Sequence, residues 1–128
     1  MKIKLVLMAF ALALLGGCRT APIYNVSDAP VVVAAGKQAT MESVKAAITR
    51  AGVSLGWQMA EAAPSVIKAH IALRTHSADA EITYNTKTYS IVYRSSTNLD
   101  ASGGQIHKNY NGWIENLDRD IRAQLLLP

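Results

Sequence analysis

Ile67-Lys68-Ala69-His70-Ile71-Ala72-Leu73-Arg74 decides the reading of this chain, because its side chains change character at every step. Apolar Ile67, Ala69, Ile71 and Leu73 alternate with Lys68, His70, Ala72 and Arg74. A period of two sends successive side chains to opposite faces of a sheet, so one face is buried and the other carries charge. The flanking residues repeat the pattern. Upstream, Val53, Leu55, Trp57 and Met59 alternate with Ser54, Gly56, Gln58 and Ala60, and Ala63-Pro64-Ser65 breaks the run. Downstream, a break at Ser77-Ala78-Asp79 leads to Ala80, Ile82 and Tyr84, and Asn85-Thr86-Lys87 turns the chain into Tyr89, Ile91 and Tyr93. Short breaks between alternating runs are hairpins, so these residues predict a four-stranded antiparallel meander.

Helical patterns lie on both sides of it. Thr40 is a candidate N-cap, Glu42 falls in the first turn, and Met41, Val44, Ala47, Ile48 and Ala51 share one face, which predicts a helix over 40–51 with Gly52 as its left-handed stop. The final element is expected from about Ile106 to Leu126. There Tyr110, Trp113, Ile114, Leu117, Ile121 and Leu125 form an apolar stripe, with Asn111, Glu115, Asp118, Arg119 and Arg122 facing water. Gly112 inside that helix calls for a close backbone contact or a helix that starts after it. Two helices over one apolar sheet face make a two-layer α+β domain, an N-terminal and a long C-terminal helix packed on one side of the meander. The other face is expected to carry Lys68, His70, Arg74, Thr88, Ser90 and Arg94.

At the N-terminus, Lys2 and Lys4 precede an unbroken apolar run from Leu5 to Leu15, the pattern of a bacterial export signal. The run is short of the roughly 20 residues that span a bilayer, which argues against an uncleaved anchor. Its end, Leu15-Gly16-Gly17-Cys18, resembles the lipobox of bacterial lipoproteins. That resemblance implies cleavage between Gly17 and Cys18, lipidation of the Cys18 thiol and attachment to a membrane. Arg19, in place of an aspartate after the cysteine, implies the outer membrane with the domain in the periplasm. The run Ile106 to Ile114, together with Tyr89 to Tyr93, Asn98-Leu99 and Gly56-Trp57, is similar to a group of small proteobacterial lipoproteins, a likeness that brings no chemistry with it. The organisation expected is a signal peptide over 1–17, a lipidated cysteine and tether over 18–37, and a single domain over 38–128. Pro22 and Pro30 break the tether region, yet Ile23, Val26 and Val31 to Val33 are apolar enough to leave open a short docked edge strand.

The charge balance narrows the function. Of 13 basic residues against 9 acidic, Lys2 and Lys4 leave with the signal, so the remaining 111 residues carry a net charge of only +2. That is too weak, and too free of interleaved aromatics, for a nucleic-acid partner. Cys18 is the sole cysteine, so no disulfide framework holds the exported domain together.

Catalytic and metal-binding patterns are missing as well. No Gly-x-Ser-x-Gly turn is present, no cysteine besides Cys18 is available as a nucleophile, the carboxylates are scattered, and Gly103-Gly104 lacks the helix that a phosphate cradle needs. A non-enzyme without cofactors is expected. His70 and His76, taken as members of one strand, would face the same way but lie about 20 Å apart, and His107 belongs to another element, so no metal site is expected.

Two surfaces are candidates for binding. His107, Tyr110, Asn111 and Trp113 gather at the start of the last helix, where they suit a peptide, glycan or protein partner, unless Tyr110 and Trp113 are core and Asn111 or Asn109 caps the helix. Lys68, Arg74 and Arg94 on the open sheet face suit an envelope protein, anionic lipid or peptidoglycan, or simply face water. The functional expectation is a membrane-anchored, non-catalytic envelope lipoprotein that binds a protein or cell-wall partner. The alternative is a lipid- or small-ligand-binding module with a cavity between sheet and helices.

Overall fold

The computed structural model describes residues 19–128, so the lipobox, Gly17 and Cys18 lie outside the described residues. The order of elements is β1 (Thr20–Pro22), β2 (Val26–Pro30), α1 (Met41–Ser54), β3 (Gln58–Ala63), β4 (Val66–Leu73), β5 (His76–Tyr84), β6 (Thr88–Thr97), β7 (Gln105–His107) and α2 (Lys108–Leu125). The fold is α+β. Its main sheet is antiparallel and five-stranded, in the order β2-β6-β5-β4-β3, and β1 pairs with β7 in a separate two-stranded ribbon. The predicted meander survives as β3 to β6, but it is not the whole sheet: β2 adds a fifth strand along the edge of β6.

Each hairpin has a local cause. At β3–β4, Pro64 fixes the first turn position and Ser65 takes φ of 67° in the second, the combination a type II turn requires. Arg74-Thr75 joins β4 to β5, with Leu73 opposite His76. The break expected at Ser77-Ala78-Asp79 therefore falls three residues early, and those residues are strand. Between β5 and β6 the Asn85 carboxamide oxygen accepts the amides of Lys87 (2.7 Å) and Thr88 (2.8 Å), so one side chain closes the turn.

The helices differ from expectation at their ends. Thr40 does cap α1: its hydroxyl accepts the Ser43 amide (3.0 Å), and the Ser43 hydroxyl accepts the Thr40 amide (2.9 Å). Gly52 is not the stop. The helix continues to Ser54 and closes at Gly56, φ 89°, with the amides of Gly56 and Trp57 bonded to the carbonyls of Val53 (3.1 Å) and Gly52 (2.9 Å) in a Schellman motif. Val53 and Leu55 thus end a helix instead of starting a strand. Gly52 lies inside it, packed against the Met59 thioether where an added Cβ would need that side chain to move. Around Gly112, by contrast, a Cβ would meet nothing, so no close backbone contact explains that glycine.

Ile67, Ala69 and Ile71 of β4, Ala78, Ala80 and Ile82 of β5, and Tyr89 and Ile91 of β6 bury one sheet face under Val44, Ala47 and Ile48 of α1 and Ile114, Leu117 and Ile121 of α2. Removing such side chains from water is the main stabilising term for a domain without disulfides.

The segment expected as a tether is built into the fold. Thr20, Ala21 and Pro22 pair with His107, Ile106 and Gln105, and Val26, Ala29 and Pro30 pair with Ile91, Tyr89 and Thr88. Side chains reinforce the pairing. The Asn111 carboxamide accepts the Tyr24 amide (3.0 Å) and donates to the Pro22 carbonyl (2.9 Å), while the Asn25 carboxamide oxygen accepts the Tyr93 amide (2.9 Å). Pro22 and Pro30 each end an edge strand, the places in a sheet where the lost amide costs least.

Candidate functional site

Because β4, β5 and β6 bury their odd or even positions against the helices, the intervening side chains line up in rows across the opposite, open face. One row runs Gln58, His70, Asp79 and Ser95 across β3 to β6. His70 Nδ1 lies 2.8 Å from Asp79 Oδ1, and the Ser95 hydroxyl donates to Asp79 Oδ2 at 3.0 Å. The next row runs Ala60, Lys68, Glu81 and Val92. A bulge between these rows inserts Arg94 into β6, and its guanidinium donates to both oxygens of Glu81 at 3.1 and 3.3 Å. Lys68, Asp79, Glu81, Arg94 and Ser95 surround a shallow depression of about 340 Å³.

The hydroxyl, carboxylate and imidazole on this face are not arranged as a nucleophile triad. Their order Ser95, Asp79, His70 puts the carboxylate between hydroxyl and imidazole, whereas hydroxyl activation needs the imidazole in the middle. Among the described residues, no three His, Cys, Asp or Glu side chains are grouped to hold a metal ion. The His70–Asp79 and Arg94–Glu81 contacts are partly solvent-exposed and add little stability, but they fix polar groups in a defined pattern on the open face.

The structure separates the residues singled out in the sequence. Lys68 and Arg94 come together as expected. Arg74 lies apart at the exposed β4–β5 turn, with φ of 59°. His70 and His76 are on different strands, three ladder positions out of step, and so point to opposite faces. His76 Nδ1 meets the Asn98 carbonyl at 2.7 Å.

The residues at the start of α2 are largely engaged in the fold itself. His107 is the N-cap of α2, its Nδ1 accepting the Asn109 amide at 3.1 Å, so neither asparagine caps this helix. Asn111 holds the N-terminal strand instead. Tyr110 is fully buried, stacked edge-on against Tyr93 at 5.3 Å between ring centres, and its hydroxyl has no hydrogen-bond partner. Burial, with a smaller contribution from Tyr93, pushes the Tyr110 phenol well above its usual range. Trp113 is half-buried against the core.

Some contributors were missed. Asp79, Glu81 and Ser95 had a legible signal, since they occupy the polar alternates of strands whose apolar alternates were recognised. Asp118 was assigned to water and is buried instead. It accepts the Tyr89 hydroxyl at 2.5 Å and pairs with Arg122 at 3.1 Å, one helical turn on. Burial, and then the Asp118 carboxylate, push the Tyr89 phenol far up. Its signal was position: 118 falls beside Ile114, Leu117 and Ile121 on the apolar stripe, with a cation at i+4 to escort it.

Comparison of the chain with protein-family models, curated proteins and solved structures finds no match.

Proposed function

We propose that the chain is a lipid-anchored envelope protein that binds a protein or cell-wall partner, without catalysis, through the open face of its five-stranded sheet. The observation that carries this reading is the pattern on that face. Lys68, Asp79, Glu81, Arg94 and Ser95 are held around a shallow depression, with His70 beside Asp79, on the side of the sheet away from the two helices. Fixed polar groups on a flat surface suit a macromolecular partner better than an enclosed small molecule. The space between sheet and helices is filled by Ile48, Ile67, Ile82, Ile91, Leu117 and Ile121, each at most 1% exposed, which disfavours the ligand-module alternative. The anchor reading rests on the likeness of Leu15-Gly16-Gly17-Cys18 to a lipobox.

A photo-crosslinking residue placed at Val92 on the open face, and in a separate variant at Asn116 on the exposed side of α2, tests the proposal in cells. A discrete adduct from position 92 and none from 116 is expected. Equal adducts from both, or none from 92, would sink the sheet-face reading. For the anchor, Cys18→Ala should abolish lipid labelling and accumulate unprocessed or soluble protein in place of the outer-membrane form. A variant that fractionates unchanged overturns that part.

A further inference from the structure

We infer that the end of the domain carrying the β1–β7 ribbon is a contact surface for anionic phospholipid headgroups, so that the protein stands on its membrane with the open sheet face turned sideways. This deepens the proposed function and rests on its reading of Cys18 as the lipid anchor.

The geometry starts from how little chain separates the anchor from the fold. Only Arg19 lies between Cys18 and β1, and two residue steps span at most about 7 Å. Nor is β1 free to swing away. It is held by three ladder positions with β7, by the Ile23 amide on the Gly104 carbonyl (2.9 Å) and by the Asn111 carboxamide on Pro22 and Tyr24. An anchor on Cys18 therefore keeps one particular end of the domain within reach of the lipid, and the charges at that end decide whether it rests there.

A continuous set of contacts defines that end. Thr20 pairs with His107, and the His107 amide donates to the Leu99 carbonyl at 2.8 Å. Next to it, the Asn98 carboxamide donates to the Thr75 carbonyl at 2.7 Å, which brings the Arg74-Thr75 turn to the same place. Arg19, Arg74 and Lys108 are all exposed here, against a single anion, Asp100. The helix α2 also begins at this end and adds its positive dipole terminus. When this end rests on the lipid, its charges come within a Debye length of roughly 8 Å, where an anionic leaflet attracts them with little screening.

The opposite end is set well back. From Lys108, α2 runs 18 residues to Leu125, roughly 27 Å at the helical rise. Leu125 there shares a depression with Val33, just beyond β2, and the Val31 amide binds the Lys87 carbonyl of the β5–β6 turn. The strands run between these two ends, so a domain standing on the ribbon end presents its open face parallel to the membrane normal, toward neighbours in the periplasm.

The test uses the full-length lipidated protein in vesicles of phosphatidylethanolamine alone or mixed with phosphatidylglycerol, with a headgroup-attached spin label as quencher. One fluorophore sits at Ser102→Cys, at the ribbon end, and in a separate variant at Thr86→Cys, at the far turn. Quenching at 102 and not at 86, dependent on phosphatidylglycerol, is the expected result. Combining Arg74→Gln with Lys108→Gln should lower the contact equilibrium roughly 25-fold, at about fivefold per basic residue. Equal quenching at 102 and 86, or quenching at 102 that ignores phosphatidylglycerol, overturns the inference. Maleimide labelling of the parent protein separates the two ideas. A blocked Cys18 with equal quenching sinks the inference alone, whereas a reactive Cys18 sinks the anchor reading and this inference with it.

Discussion

Asp118→Ala tests how the two layers are joined. Asp118 is the buried charged residue among those described, and it ties α2 to the sheet by accepting the Tyr89 hydroxyl at 2.5 Å. Deleting the carboxylate leaves that hydroxyl, on a side chain only 1% exposed, without an acceptor. An orphaned buried donor costs ~1–3 kcal/mol, and the lost pair with exposed Arg122 adds ~0.3–0.5 kcal/mol. Alanine's better helix propensity returns about half a kcal/mol, which leaves a net loss of about 2 kcal/mol. At ~4 °C per kcal/mol for a domain of this size, Tm should fall by about 8 °C. Tyr89→Phe removes a hydrogen bond to a charged group and should cost ~1.5–3 kcal/mol. The double variant leaves no orphan, so it should cost little more than the larger single loss, a coupling of at least about 1.5 kcal/mol by urea denaturation. If the two losses simply add, Tyr89 and Asp118 are not an interacting pair and the reasoning is wrong.

Gly112→Ala should raise stability by ~1 kcal/mol in the same denaturation assay, because the added methyl meets nothing and the helix gains a better former. Asn111→Ala should loosen the N-terminal strand while the core stays intact. Losing two hydrogen bonds to that strand costs about 2 kcal/mol locally, so amide exchange at Tyr24 should quicken roughly 30-fold with little change in Tm. Tyr89 and Tyr110 both have phenols raised above 10 by burial, so folding favours their neutral forms; the stability this contributes is fully present below pH 10 and is lost as pH climbs above it. Tyr110→Phe should weaken that alkaline loss and, by deleting a hydroxyl without a partner, should stabilise the protein by ~1 kcal/mol at neutral pH.

What could be read from the sequence followed the range of the interaction that fixed it. The strand around Ile67 to Leu73 was legible because burial of one face writes itself as alternation, and the body of α2 because its stripe repeats through Ile114, Leu117 and Ile121. Val53 and Leu55 misled because the exposed last turn of an amphipathic helix, followed by Gly56 and Trp57, imitates an alternating strand. The strand at 26–30 was open only as a possibility, and the one at 20–22 was read as tether. Their partners lie 58 to 87 residues away, and their prolines, harmless at strand ends, look locally like linker. The same distance hid Asn111, whose carboxamide serves a backbone 87 residues upstream. Arg94 was placed on the right face, but the bulge that turns it onto Glu81 has no local signature.

If the open face is the binding surface proposed above, its charges bear on what kind of partner fits there. Arg94 is already satisfied by Glu81, and Asp79 by both His70 and Ser95. A partner that inserted its own charge into either pair would have to compensate an interaction the free protein already has. Lys68 is different: it lies directly across the ladder from Glu81, rims the same depression, and has no ion-pair partner among the described residues. An incoming carboxylate or phosphate can meet Lys68 while leaving both neighbouring pairs whole. Lys68→Ala should therefore weaken crosslinking at position 92 more than Arg94→Ala does, even though the arginine is the more conspicuous cation. The reverse order would mean that the partner opens the Arg94–Glu81 pair to bind.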